Sequence, residues 1–162
     1  MSLDAIRSFR VVRKFKDQPV PADVMLEILN AGRRSQSSKN TQPWQFVVVR
    51  DRDTLKQLSE CGTYAGHLAG AAFGVALIAP KGTDYDQGQA TAYMQLAAWE
   101  LGVGSCIASM WEPDRARAIL GVPAEMDFDV ALSFGYPAEE RDPTLKRGGR
   151  RPLEEIVHWE KW

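Results

Sequence analysis

The chain has 162 residues, 44% of them hydrophobic and 25% charged, with a formal net charge of -1 at pH 7. That is enough for one domain, residues 1–162, to bury a core of its own. The near-neutral balance supplies no broad field for nucleic acid or a membrane surface, so neither is expected as a partner.

Met1-Ser2-Leu3-Asp4 carries none of the apolar run of a secretory leader, and the chain is expected in the cytoplasm. Cys61 and Cys106 stand alone, with no CxxC, which fits a reducing compartment and no disulfide framework. Leu3 to Arg10 reads as a short helix and Lys16 to Pro21 as an extended connection. Pro21 takes a favoured first-turn position and opens a second helix, with Met25, Ile28 and Leu29 on one face and an end near Gly32. Then comes Ser37-Ser38-Lys39-Asn40-Thr41-Gln42-Pro43-Trp44, a polar stretch with no counterpart elsewhere in the chain. Asn tolerates left-handed geometry and Pro43 disfavours helix just before it, so the stretch reads as a turn. It feeds a strand, Phe46 to Val49.

Asp51 or Asp53 caps a helix carrying Leu55 and Leu58, which Gly62 stops. Leu68 to Pro80 is the longest apolar stretch, broken by glycines and far too short to span a bilayer. Within it, Phe73 to Ala79 has the unbroken apolar pattern of a strand buried on both faces. Residues 80–88 read as a loop. The clearest helix follows, with Ala90, Met94, Ala97, Ala98 and Leu101 at helical spacing, and Gly102 ends it. Ser105 to Ala108 is a short strand, Pro113 to Leu120 a helix closed by Gly121, and Phe128 to Phe134 another strand. Beyond Gly135-Tyr136-Pro137 the chain turns basic, with Arg141, Lys146, Arg147, Arg150 and Arg151, and Leu153 to Trp162 is expected to be helical. Four strands among five or six helices predict an α+β or α/β layered fold.

Standard catalytic constellations are missing. His67 and His158 lack a metal-like partner four residues on, and each reads as a surface or satisfied core histidine; no metal site is expected. No GxSxG, GxxxxGK[ST] or GxGxxG follows a strand. Without side-chain acid–base machinery, a bound cofactor is the expected carrier of any reaction. Two clusters suit one. Arg7, Arg10, Arg13 and Lys14, with Arg147, Arg150 and Arg151 from the other end, offer guanidinium forks for a phosphate. The amides and hydroxyls of residues 37–42 suit a heteroaromatic ring carrying carbonyls and nitrogens.

Arg13-Lys14-Phe15, Pro19-Val20-Pro21 and the SSKNTQPW stretch together resemble the FMN-dependent nitroreductase family. Leu101 to Cys106, Phe134-Gly135-Tyr136-Pro137 and Arg150-Arg151-Pro152-Leu153 fall in that family's order, so the resemblance covers nearly the whole chain. It implies an α+β fold, a mixed sheet flanked by helices, in an intertwined homodimer with FMN at each subunit junction. It implies that Arg10, Val11 and Arg13 lie along the phosphate grip with Arg150 or Arg151. Ser37, Ser38, Asn40 and Gln42 would approach the flavin from the partner subunit, with Trp44 rooting their turn in the core. Cys106, Ile107, Ala108 and Ser109 would run along the ring and offer backbone N–H groups. The family often shows Arg-Arg-Ser where this chain has Phe9-Arg10-Val11, so one arginine and one hydroxyl are replaced.

The expected activity is hydride passage from NAD(P)H to a small nitroaromatic, quinone or similar acceptor in a ping-pong cycle, with no side chain needed as general acid. Alternatives are a flavin-dependent dehalogenase, a flavin-fragmenting enzyme of the same superfamily, or a flavin-binding sensor with little turnover. The last ten residues, with Leu153, Ile156, Val157 and Trp159, are expected to help hold two subunits together.

Overall fold

The structure is a computed structural model and describes residues 3–138 and 149–162. Arg141, Lys146 and Arg147 of the basic stretch lie outside the described residues.

The apolar run near the middle becomes the centre of the fold. Strand β2 (Phe73–Pro80) is buried from Phe73 to Ala79. It pairs on one side with β1 (Gln45–Val49) and on the other with β4 (Met126–Gly135), whose far side carries β3 (Gly104–Ser109). The order is β1-β2-β4-β3 and all three ladders are antiparallel. One parallel bridge, Val11 to Ser105, adds the segment after the first helix to the outer edge of β3. Phe73 and Phe134 are register partners, and their rings stack 4.8 Å apart, a cross-strand pair that fixes the β2–β4 register.

Side chains alternate across the sheet, which splits the core in two. On one face Phe73, Val75, Leu77, Leu132 and Phe134 pack with Met25 and Ile28 of α2 (Ala22–Arg33) and Met94 and Ala98 of α4 (Asp84–Glu100). On the other face Ala76, Ile78, Ala108 and Phe128 meet Leu55 and Leu58 of α3 (Arg52–Ser59), Leu68 of the short turn 66–70, and Ala116 of α5 (Pro113–Leu120). Asp51 caps α3, its carboxylate accepting the N–H of Thr54 at 2.8 Å; this hydrogen bonding holds its pKa below the usual value. The first helix, α1 (Leu3–Ser8), stops two residues before the expected Arg10.

Two expectations need correction. Residues 84–88 are not loop: α4 begins at Asp84, and Asp84 and Asp86 in its first turn complement the positive end of the helix. The tail is not a helix to Trp162: it holds one turn of 3-10 helix, Leu153–Glu155. Leu153 and Ile156 are exposed, and an amphipathic segment with no surface to pack on has little to stabilise a helix. Among the described residues no helix is long and apolar enough to cross a membrane.

Candidate functional site

Strand β3 is an edge strand, so alternate residues turn their backbone groups away from β4. Val12 donates its N–H to the Ser105 carbonyl from outside the sheet at 2.9 Å, which sets the phase. Ser105, Ile107, Ser109 and Trp111 therefore point outward, and Cys106, Ala108 and Met110 point toward β4. Two more bonds agree: Met110 donates inward to the Asp129 carbonyl and Trp111 outward to the Cys61 carbonyl, both at 2.8 Å. The outer edge is thus braced at Ser105 and at Trp111. Between the braces, the outward N–H groups of Ile107 and Ser109 have no hydrogen-bond acceptor among the described residues. Of the four residues expected along a ring, two present their N–H outward and two are taken up by the ladder.

Glycines make the braces possible. A Cβ on Gly104 would lie 2.6 Å from Cβ of Val12, and one on Gly62 would lie 2.2 Å from the Ser109 carbonyl oxygen. The chain at both ends can approach β3 only without a side chain.

Arg13 is exposed and lies between the Val11 bridge to Ser105 and the Phe15 bridge to Pro137, at the start of β3. Behind the strand sits His67, only 9% exposed. Its Nδ1 lies 2.7 Å from the Ser133 hydroxyl, which in turn lies 3.4 Å from the carbonyl of Cys106, the register partner of Ser133. Nε2 of His67 is buried without a partner. Burial lowers the His67 pKa below 6.5; the Ile107 backbone opposes that shift, and the positive charge of Arg13 adds to it. Arg10 is turned elsewhere: its Nη1 donates to the carbonyls of Phe9 at 2.7 Å and Arg7 at 3.1 Å, capping the end of α1. Arg150 and Arg151 are exposed.

The polar turn is built separately. Lys39, Asn40 and Gln42 all have positive φ, between 49° and 56°, an unusual concentration for residues other than glycine. Internal bonds hold it: the Gln42 N–H donates to the Ser37 hydroxyl at 2.9 Å, and the Asn40 N–H to the Ser37 carbonyl at 3.0 Å. Asp86 ties it to the fold, its two carboxylate oxygens each 3.2 Å from the Ser38 N–H. Trp44 is 6% exposed and roots the turn in the core, as expected.

The two clusters are not brought together within one chain. Asp86 lies in the first turn of α4, whereas Trp99, near its last turn, donates from its indole N–H to Ser8 in the segment that leads to Arg13. Thirteen residues of rise separate Asp86 from Trp99, roughly 20 Å along the axis at ~1.5 Å each. Sequence reasoning missed Asp86, which it placed in a loop, and Ser133; of its two readings of His67, surface or satisfied core, the structure gives the core one. A polar cleft of about 410 Å³ between residues 17–19 and 50–52 shares no residue with either cluster. Among the described residues, no group of three or more His, Cys, Asp or Glu could hold a metal.

The Nitroreductase family profile matches residues 6–62 and 66–136. An Archaeoglobus fulgidus protein, provisionally named NADH dehydrogenase/NAD(P)H nitroreductase, is 32% identical over 99% of this chain and 98% of its own. A 5,6-dimethylbenzimidazole synthase of Rhodospirillum rubrum is 28% identical over 93% of this chain and 90% of its own. Among solved structures, an FMN-dependent nitroreductase from Clostridium difficile superposes with a TM-score of 0.88 at 29% identity, covering 99% of this chain and all of that one. With the family profile spanning most of its length, the chain belongs to the nitroreductase family.

Proposed function

We propose that the protein is a homodimeric FMN oxidoreductase that takes reducing equivalents from NAD(P)H and passes them to a nitroaromatic, quinone or similar acceptor in a ping-pong cycle. The observation that carries this reading is the braced edge of β3, where two outward N–H groups stand open and the first residues are bridged by the segment that carries Arg13. The residues present fit the cofactor: Arg13, with Arg150 or Arg151, suits its phosphate, and Ile107 and Ser109 suit the acceptor atoms of a planar heterocycle. When bound, FMN supplies the capacity to take up and release a hydride.

The chain's own part is placement and charge. Ile107 and Ser109 direct fixed dipoles at the site, and those donors favour negative charge there without reorganising. The polar turn is tied to one end of α4 and the segment leading to Arg13 to the other, roughly 20 Å apart at ~1.5 Å per residue, so we assign the turn to the β3 edge of a second copy. That geometry supports the shared site of an intertwined dimer. No general acid is required. Burial pushes the Cys61 thiol up, so it is a poor nucleophile at neutral pH.

Steady-state oxidation of NADH and NADPH, with and without a nitroaromatic or quinone, tests the activity. Acceptor-dependent consumption of either nucleotide is expected, and its absence with flavin bound would refute it. A second reading is a flavin-fragmenting enzyme of the same superfamily, and the chain's relatives include a protein named 5,6-dimethylbenzimidazole synthase. Loss of flavin absorbance under reducing, aerated conditions would select that one.

A further inference from the structure

We propose that Ser133 and His67 are positioning residues for the open edge: from behind β3 they hold the peptides that meet at Ile107 and so aim its outward N–H at the ligand. This rests on the reading that the β3 edge takes the flavin, but the link itself can be measured in the cofactor-free chain.

The pair is built into the core. The turn that carries His67 is fastened just past its end, where Ala72 donates its N–H to the Phe134 carbonyl at 2.8 Å. The ring lies against β4, with Nδ1 2.7 Å from the Ser133 hydroxyl. Ser133 is fully buried and His67 is 9% exposed. Two polar groups buried there destabilise the fold unless their hydrogen bonds are made, and an apolar pair would carry no such penalty. Ser133 and Cys106 are register partners, and the phase of β3 makes them a hydrogen-bonded pair in the ladder. The Ser133 hydroxyl also lies 3.4 Å from the Cys106 carbonyl oxygen, a second donor for an atom the ladder already holds.

The Cys106 carbonyl and the Ile107 N–H belong to one peptide unit. That unit is planar, so a bond that fixes the oxygen fixes the direction of the N–H on the opposite side. Donation to the carbonyl also polarises the unit and strengthens its N–H as a donor, by ~10–30% per bond. Both neutral tautomers of His67 deliver a donor to a carbonyl beside that N–H. With hydrogen on Nδ1, the ring donates to Ser133, whose own hydrogen is then directed at Cys106. With hydrogen on Nε2, Ser133 donates to the ring, and the ring N–H is left for the Ile107 carbonyl, the backbone group that acts on it. No proton need be taken up in either arrangement. The other open N–H, that of Ser109, has no such backing: Ala108, which carries the carbonyl of its peptide, pairs with Ala131, and alanine has no hydroxyl.

The sequence allows each open amide to be read alone. Cys106-Ile107 is the only Cys-Ile step in the chain, and Ala108-Ser109 the only Ala-Ser step. Labelling the carbonyl of the first residue type with 13C and the amide of the second with 15N gives one NMR correlation for each. In the cofactor-free chain, Ser133→Ala and His67→Phe should both shift the Ile107 amide and leave the Ser109 amide near wild type, which also shows that the strand is intact. With FMN, both variants should bind roughly two- to tenfold more weakly, the equivalent of one ordinary hydrogen bond. The bound flavin should also have a lower reduction potential, because a weaker donor does less for negative charge on the reduced ring. An Ile107 amide that stays in place in both variants overturns the inference, whatever FMN does. Equal movement of the Ile107 and Ser109 amides overturns it too, since that marks a general loosening of the strand. A selective Ile107 shift with FMN affinity and potential both unchanged overturns the positioning role. A selective shift in a protein that binds no FMN refutes the flavin reading and leaves the link between the pair and Ile107 standing.

Discussion

The N–H of Ser38 lies 3.2 Å from each carboxylate oxygen of Asp86, which fastens a strained polar turn to the first turn of a long central helix. Asp86 is 8% exposed, so that carboxylate is committed to this task. A charge-assisted hydrogen bond is worth about 1.5–3 kcal/mol. Asp86→Ala should therefore weaken FMN binding by roughly tenfold or more, with a smaller loss for Asp86→Asn, which keeps an acceptor. Dissociation constants for the three proteins check this; equal values would show that the turn holds its shape unaided.

Arg13→Ala should weaken FMN binding by about ten- to hundredfold, the equivalent of one charge-assisted phosphate contact. Lys39→Ala should have far less effect, although both side chains are exposed cations. The contrast separates a placed guanidinium from general positive charge.

The two clusters, one α4 length apart, predict a particular complementation. A mixed dimer of Arg13→Ala and Asp86→Ala chains keeps one intact site if the site is shared between subunits. FMN titration should then recover half of the wild-type high-affinity sites per dimer. If each chain built its own site, no high-affinity site would return.

Much of the fold was legible because local pattern and tertiary demand coincide. The apolar run 73–79 could only be a buried strand, and Pro113 with Gly121 punctuates α5 correctly. The start of α4 was hidden because Gly82 and Gly88 flank acidic residues that read equally well as loop. The open edge of β3 was not legible in the residues themselves; only the family resemblance pointed to residues 106–109, and not to which of them face outward. It depends on Val12 and Cys61, neighbours distant in sequence, covering either side of a gap. His67 reads as a surface or core histidine, and the structure puts it in the core; what the sequence does not show is its partner Ser133 and its unpartnered Nε2.

The tail gives a prediction about assembly. Trp159 and Trp162 are 84% and 101% exposed, and among the described residues no hydrogen bond links 149–162 to the rest of the chain. Each indole can bury on the order of 200 Å², about 5 kcal/mol as an upper limit. Deleting residues 153–162 should shift sedimentation toward monomer and lower flavin content. A truncated protein that stays dimeric and fully loaded would remove the tail from the interface.

His67 also makes folding stability depend on pH. Its pKa is lowered in the folded chain from 6.5, so below that pH the unfolded chain binds a proton that the folded chain resists. Its contribution is complete above pH 6.5 and is lost as pH falls through the folded value. Urea unfolding between pH 8 and 5 should show a shallower decline for His67→Gln than for wild type, and parallel curves would contradict this.

The most direct measurement is an equilibrium titration of purified, flavin-free protein with FMN and with riboflavin, followed by the change in flavin fluorescence. The expected result is saturation at one FMN per chain, with riboflavin bound at least tenfold more weakly because it lacks the phosphate that the proposed function assigns to Arg13. A protein that leaves FMN fluorescence unchanged, or binds both flavins alike, would contradict a flavin site at the edge of β3.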